Sequence, residues 1–338
     1  MTVEQRIKAF VSLGEFLSQA EPELTLTLER ASQLNRWYTV ENTSKQIVAI
    51  TQNLTQYKLR EWIAPFDFSQ YPKTVGLILA GNIPLVGFHD VLSVLLAGFR
   101  AQVKVSSDDA GLTAYLLHKL IEIEPQFYEQ INIVDRLSNF DLIIATGSDN
   151  SSRYFDYYFG SKPHIIRRNR NSVAILNGTE TREQLQGLGN DIFDYFGLGC
   201  RSVSKLFIPK NYPINIFFEA IESFKEVSNH FKYANNYDYN KSIYLINGET
   251  HYDNGFLLLK SDERNASPLA VIFYQEYDSQ QELAEQLNAQ SDKIQCITTQ
   301  IAIETLIPTF PLGQAQCPSL TDYADDIDTL AFLKEHTY

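Results

Sequence analysis

From Lys73 onward the chain alternates short apolar runs with longer stretches of helical spacing, and this alternation limits the fold more than any other feature. Residues 74–80 are apolar on both faces, as a strand covered on both sides must be. Residues 84–99 read as a helix with Pro84 near its first turn, 101–105 as a second strand and 112–123 as a second helix. Residues 131–134 and 141–145 are further strands, followed by a helix from about Ser151. Such alternation predicts a parallel sheet flanked by helices, with ligands bound beyond the carboxyl ends of its strands near helix N-termini. Two turns fall in that place, Gly81-Asn82-Ile83-Pro84 and Thr146-Gly147-Ser148.

A second α/β unit follows. Residues 173–176, a helix over 181–196 and a strand over 205–208 bracket Gly197-Leu198-Gly199-Cys200. Strands are then expected at 243–246, 256–259, 269–274 and 294–299, with a helix around 282–287. The first sixty residues read as helices, from the spacing of Ile7, Phe10, Phe16 and Leu17 and of Ile47, Ile50, Leu54 and Leu59. No Gly/Ser-rich linker parts the halves, so the boundary is set near Ser172 by the pattern alone.

The 338 residues suffice for two domains, and a hydrophobic fraction of 44% suits a full core. A formal charge of −13 argues against a nucleic-acid partner, which would need a surplus of Lys and Arg. The N-terminal segment carries charges throughout, unlike a signal peptide, and no run approaches the roughly 20 apolar residues of a membrane span. The three widely spaced cysteines, Cys200, Cys296 and Cys317, suit a reducing compartment, so the cytoplasm is expected. Neither a Cys-x-x-Cys pair nor a His-x-x-x-His pair occurs, and no metal site is expected. The Rossmann glycine fingerprint and the P-loop are also absent; Gly187-Leu188-Gly189 lacks a third glycine and sits inside a helical pattern.

Cys200 is the informative residue. Gly197 and Gly199 strip side chains from its approach, and Arg201 adds a positive charge that favours the thiolate, the reactive form of a thiol. Cys296 lies in an apolar strand pattern and reads as core. The stretch Phe196-Gly197-Leu198-Gly199-Cys200-Arg201-Ser202, with Lys205-Leu206-Phe207-Ile208-Pro209 after it, resembles the nucleophile segment of the acyl-CoA reductase (LuxC-like) family of the aldehyde dehydrogenase superfamily. In chain order, Gly81-Asn82-Ile83-Pro84-Leu85 is similar to that family's Asn-x-Pro turn. Val103-Lys104-Val105-Ser106 resembles the superfamily's Lys-Pro-Ser strand end, and Thr146-Gly147-Ser148 its Thr-Gly-Ser turn.

The resemblance implies an aldehyde-dehydrogenase-like α/β fold. A Rossmann-type cofactor domain would cover 1–171 and 312–338, and an α/β catalytic thiol domain 172–311. It implies an NAD(P)H-dependent reductase that takes an acyl-CoA or acyl-carrier thioester to an aldehyde through a thioacyl intermediate on Cys200. Asn82 would complete an oxyanion hole with the Cys200 N–H. Lys104 would meet the adenosine ribose or its 2′-phosphate, Gly147 and Ser148 the pyrophosphate, and Glu263 a ribose. His164 is a candidate acid for the hemithioacetal oxygen. Lys104 leans the cofactor toward NADPH, with NADH left open, as are an acyl-activating partner protein and an oligomer. Aldehyde-oxidising members carry a glutamate before the cysteine that activates water. From Asp156 to Glu180 this chain has no intervening carboxylate and instead carries Arg167-Arg168-Asn169-Arg170, read as a solvated basic loop. Slow deacylation by water follows, which favours reduction of an activated acyl group. The alternatives are an acyl phosphate reductase of the same superfamily and a non-reducing acyl-relay protein.

Overall fold

Two parallel sheets account for the alternating apolar runs. The computed structural model describes residues 1–19, 21–68 and 73–337. The chain divides into a unit made of Met1–Asn169 with Pro318–Tyr338 and a unit made of Arg170–Cys317.

In the first unit four helices come first: α1 (Val3–Ser18), α2 (Pro22–Leu34), α3 (Val40–Thr51) and α4 (Gln56–Ile63). Thr2 and Gln5 close a reciprocal capping box at the start of α1, satisfying two N–H groups that the helix itself cannot. Then follow β1 (Thr74–Ile78), α5 (Phe88–Ala97), β2 (Arg100–Lys104), α6 (Leu112–Ile123), β3 (Ile131–Ile133), β4 (Leu142–Thr146), α7 (Asp149–Phe159) and β5 (His164–Arg167). The strands lie in the order β3-β2-β1-β4-β5, each pair parallel. The order reverses between β1 and β4, the switch point at which a doubly wound sheet opens a crevice.

Helix α5 is apolar nearly all round and buried along its length, from Phe88 to Ala97. Arg6 of α1 donates from Nε to the Leu96 carbonyl (2.8 Å), satisfying one of that helix's orphan acceptors. The other end of α5 is tied to the C-terminal segment. Arg167, the last residue of β5, donates from Nη2 to Asp90 Oδ1 (2.6 Å) and to Thr329 Oγ1 (3.0 Å), and also to the Ala324 carbonyl. Arg167 and Asp90 are 3% and 6% exposed, so this arginine is a buried latch and not part of a solvated loop. Arg168 beside it is exposed and pairs with Asp156 at 2.9 Å.

In the second unit come β6 (Asn171–Ile175), α8 (Arg182–Phe193), β7 (Val203–Pro209), α9 (Ile214–Ala220), α10 (Phe231–Asn247), β8 (Tyr252–Asp253), β9 (Leu258–Ser261), β10 (Val271–Tyr277), α11 (Gln280–Asn288), β11 (Ile294–Thr299) and β12 (Thr309–Phe310). The sheet order is β12-β11-β6-β7-β10-β9-β8, parallel except where β8 meets β9. Val173, Ile175, Phe207 and Ile297 face Leu283 and Leu287 of α11 to form one layer of its core.

Three expectations change. Residues 243–246 lie inside α10, because its buried stripe is Tyr233, Tyr237, Asn240 and Tyr244 at helical spacing while Leu245 and Ile246 are exposed. The helix expected from Pro84 begins at Phe88, since Leu85 adopts a left-handed φ of 54°. Strand β5, hidden among histidine and arginine, was not anticipated from its residues. Among the described residues no helix is long and apolar enough to cross a membrane.

Removing one partner of the buried latch leaves the other charge uncompensated. Asp90→Ala is therefore expected to lower the stability of the first unit by about 3–5 kcal/mol. Replacing both by Leu and Met should cost less. Urea midpoints, with amide exchange of α5 as the local reading, check both outcomes.

Candidate active site

The carboxyl edge of the first sheet gathers several of the candidate residues. The turn after β1 carries Asn82, whose side chain is exposed. Beneath it the buried phenol of Tyr38 lies 2.9 Å from the Gly81 carbonyl and 3.1 Å from that of Ile83, fixing the turn. Burial pushes that phenol's pKa upward, ahead of the nearby Asp109 and Asp108 charges, so it stays protonated and able to donate. Lys104 ends β2 beside β1, half-buried, with its carbonyl accepting from the Leu79 N–H at 3.0 Å.

Across the switch point β4 ends at Thr146. Ser148 caps α7, its Oγ accepting from the Ser151 N–H at 3.3 Å. Gly147 is required by space: a Cβ there would sit 2.8 Å from the Phe155 ring and 2.9 Å from Ser151 Cβ. A helix start at the carboxyl end of a parallel strand is a ready anion site.

His164 lies elsewhere. It pairs with Ile143 at the amino end of β5, whereas Thr146 pairs with Arg167 at the carboxyl end. Three residues of strand, about 10 Å, separate it from the edge holding Asn82, Lys104 and Ser148. Its Nδ1 lies 2.8 Å from the Lys162 carbonyl and the residue is exposed.

In the second unit the chain reaches Cys200 through a strained turn. Tyr195 (φ 54°), Phe196 (φ 58°) and Gly197 (φ 77°) are three consecutive left-handed residues, and this run ends α8 at Phe193, short of the expected Phe196. Each of the two aromatic residues pays roughly 1–2 kcal/mol for that conformation. Burial of both rings offsets the cost, and Phe196 stacks on His230 with ring centroids 4.2 Å apart.

Beyond the turn, backbone groups on either side of the cysteine are tied. Gly199 N–H donates to Ser202 Oγ (3.2 Å), Ser202 N–H returns to the Gly199 carbonyl (3.0 Å), and Gln316 Nε2 donates to the same Ser202 Oγ (3.2 Å). Ser172 Oγ donates to the Cys200 carbonyl at 2.9 Å and lies 3.1 Å from Cys296 Sγ. The serine has a single proton, so the Cys296 thiol is the donor to it. Burial pushes that thiol up to about 11, which keeps its proton in place. Cys296 thus supports the backbone of Cys200 from within the core. Cys200 itself is half-buried, Cys317 is exposed, and none of the three cysteines forms a disulfide.

Sequence reasoning missed Asp191. Wholly buried, it accepts from the backbone N–H groups of Gly313 (2.6 Å) and Ala315 (2.9 Å) and so fastens the 312–317 segment to α8. Gly187 and Gly313 let the two backbones touch, since a Cβ on Gly313 would stand 2.8 Å from Gly187 Cα. The signal was available in Gly187-Leu188-Gly189, whose glycines serve packing instead of phosphate binding. Glu263 lies exposed on the loop between β9 and β10.

Comparison with solved structures defines the class. Aldehyde dehydrogenase 21 from Physcomitrella patens matches with a TM-score of 0.69 at 15% identity, over 99% of this chain and 84% of that one. An acetylating aldehyde dehydrogenase from Geobacillus thermoglucosidasius matches with a TM-score of 0.69 at 12% identity, over 98% and 90%. The fold is that of the aldehyde dehydrogenases. Residues 7–222 match the model of one family within that class, and the chain belongs to the acyl-CoA reductase (LuxC) family. That match takes in the N-terminal helices and Cys200 and stops before Glu263.

Among characterised relatives, the long-chain acyl-protein thioester reductase of Aliivibrio fischeri is 25% identical over 232 residues, 61% of this chain and 47% of that one. Long-chain acyl-protein thioester reductase 2 of Photobacterium leiognathi is 24% identical over 160 residues, 43% of this chain and 33% of that one. The matched segments thus span between a third and about half the length of these relatives.

Burial pushes the Asp191 carboxyl up to about 7, against the two backbone donors that pull it down. Between the unfolded value near 4 and this folded value, the native state binds the extra proton. The group's contribution to stability is therefore fully present below about pH 4 and is lost as the pH rises to about 7. Urea midpoints across that window should fall for the unaltered chain, and Asp191→Asn should remove that part of the slope.

Proposed function

We propose that this chain is an NAD(P)H-dependent reductase that converts an acyl thioester to an aldehyde through a thioacyl intermediate on Cys200. The observation that carries this reading is the Cys200 turn. Within the family-matched segment, a half-buried thiol follows three left-handed residues, with the backbone around it hydrogen-bonded before and after. Held backbone of this kind fixes where a nucleophile and its own N–H point, which is what stabilising an oxyanion requires.

In this reading the Cys200 thiolate attacks the thioester carbonyl. The Cys200 N–H receives the oxyanion, and the donor thiolate leaves. The residues of the first unit fit a nicotinamide dinucleotide. They offer a sheet with its switch point between β1 and β4, a glycine at position 147 with no room for a side chain, the start of α7, and Lys104 at the end of the neighbouring strand. A dinucleotide held by these residues would supply the hydride that takes the thioacyl carbon to the aldehyde level. Collapse of the resulting hemithioacetal releases aldehyde and restores the Cys200 thiolate. His164, at the opposite end of its strand, has no part in this scheme.

The stretch without carboxylates between Asp156 and Glu180 supports reduction over hydrolysis. The family is named for acyl-CoA and the two relatives for long-chain acyl-protein thioesters, so the donor is an acyl thioester of one of these kinds.

Incubation with long-chain acyl-CoA should give an acyl adduct on Cys200 by intact mass, and the adduct should disappear as NADPH absorbance falls. Cys200→Ala should abolish the adduct and leave NADPH binding unchanged; turnover retained in that variant would sink the assignment. An adduct that persists with both cofactors would point to an acyl-relay protein instead. Lys104→Ala should raise KM for NADPH about tenfold, the worth of one charged hydrogen bond, and change KM for NADH little.

A further inference from the structure

We infer that Ser202, held by Gln316, is a positioning residue for acylation: it grips both main-chain groups of Gly199 and so fixes the direction of the Cys200 N–H. The inference rests on the reductase reading and adds to it two residues to which no part in the reaction has been given.

Cys200 occupies the second position of a β-turn. The turn runs from Gly199 to Ser202 and is closed by the Ser202 N–H, which donates to the Gly199 carbonyl at 3.0 Å. Neither central residue, Cys200 nor Arg201, has a positive φ. That excludes the turn types with a left-handed centre and, among turns closed by a hydrogen bond, leaves type I. The Gly199 carbonyl and the Cys200 N–H belong to one planar trans peptide, so they point in opposite directions. Holding the carbonyl therefore aims the N–H the other way. A reversed peptide would break the turn and put a carbonyl oxygen where an oxyanion has to be received. The next peptide is fixed separately, by Ser172 Oγ donating to the Cys200 carbonyl at 2.9 Å. Turning that one over would force a positive φ on Arg201, which is unfavourable for a residue with a Cβ.

The hydroxyl of Ser202 gives the turn its second point of attachment. Ser202 is 3% exposed, and its Oγ accepts from the Gly199 N–H and from Gln316 Nε2, each at 3.2 Å. A hydroxyl oxygen has two lone pairs, so these two donors occupy both and leave it one orientation. Ser202 thus meets the Gly199 N–H through its side chain and the Gly199 carbonyl through its backbone. A turn closed by the backbone alone would hold the carbonyl and leave the Gly199 N–H to other partners. Gln316 follows directly after Ala315, whose N–H donates to Asp191 at 2.9 Å, so the amide that orients Ser202 hangs from a fastened backbone. The residue before the nucleophile is therefore clamped at both of its polar groups, which sets the geometry of the oxyanion donor before any substrate arrives.

Two reactions of the same thiol separate the direction of the N–H from the reactivity of the sulfur. Acylation by long-chain acyl-CoA builds an oxyanion, whereas alkylation by iodoacetamide displaces iodide and builds none. Both rates are measured without cofactor, by mass spectrometry of the Cys200 peptide. Ser202→Ala should slow acylation about tenfold, the upper contribution of one hydrogen bond, and leave alkylation within about twofold. Gln316→Met should slow acylation about threefold, the lower contribution, again with alkylation little changed. The double variant should be no slower than Ser202→Ala, since Gln316 acts through the Ser202 hydroxyl. Equal falls in the two rates would make Ser202 a determinant of the thiolate or of the local fold and overturn the inference. Unchanged acylation in Ser202→Ala, or additive effects, would overturn it too. Should Ser202→Ala fail to fold, the half-buried Gln316 is the milder site, and the ratio of acylation to alkylation in Gln316→Met decides. Failure of the unaltered chain to accept an acyl group on Cys200 would instead remove the reductase reading itself.

Discussion

Every strand of the first sheet points the same way, and most of what the first unit does follows from that. Parallel strands bring their carboxyl ends to one edge, so turns separated by some sixty residues of sequence, those at Gly81 and Gly147, flank one crevice. The same constraint sends His164 to the other edge, since a residue that opens a parallel strand stands at its far end. Helix α5 can then be apolar on all sides, because it packs in the interior between the sheet and the N-terminal helices.

In the second unit the corresponding role falls to strain and the contacts that offset it. The left-handed run before Cys200 is unfavourable by itself. It persists because Tyr195 and Phe196 are buried, His230 stacks on Phe196, and Asp191 ties α8 to the segment that carries Gln316. Ser172 and Cys296, on adjacent strands, then fix the carbonyl of the cysteine. Cys200 is thus placed by residues drawn from β6, β11, α8 and the 312–317 segment, most of them far from it in sequence.

The sequence showed the alternating architecture because periodicity is local, and it showed the Cys200 segment because a glycine-flanked thiol is a local pattern too. It did not show α10, where tyrosine supplies the buried stripe and the apolar Leu245 and Ile246 face solvent. Nor did it separate Arg167 from Arg168. The two adjacent arginines differ only in that one meets Asp90 and Thr329, which lie 77 and 162 positions away. Asp191 and Ser172 were illegible for the same reason: the significance of a buried polar residue lies in its partners, and those come from distant elements. Asn82 and Glu263, singled out by resemblance alone, lie exposed on a turn and on a loop.

The latch between Arg167, Asp90 and Thr329 has a consequence for the order in which the molecule is made. The segment from Pro318 onward belongs to the same unit as the first 169 residues, and the whole second unit lies between them in sequence. A ribosome therefore delivers all of Arg170–Cys317 before it delivers the helix that receives Arg167. Through that interval Asp90 and Arg167 lack the Thr329 hydroxyl and the Ala324 carbonyl that complete the latch, so the first unit waits on residues made after the whole of the second.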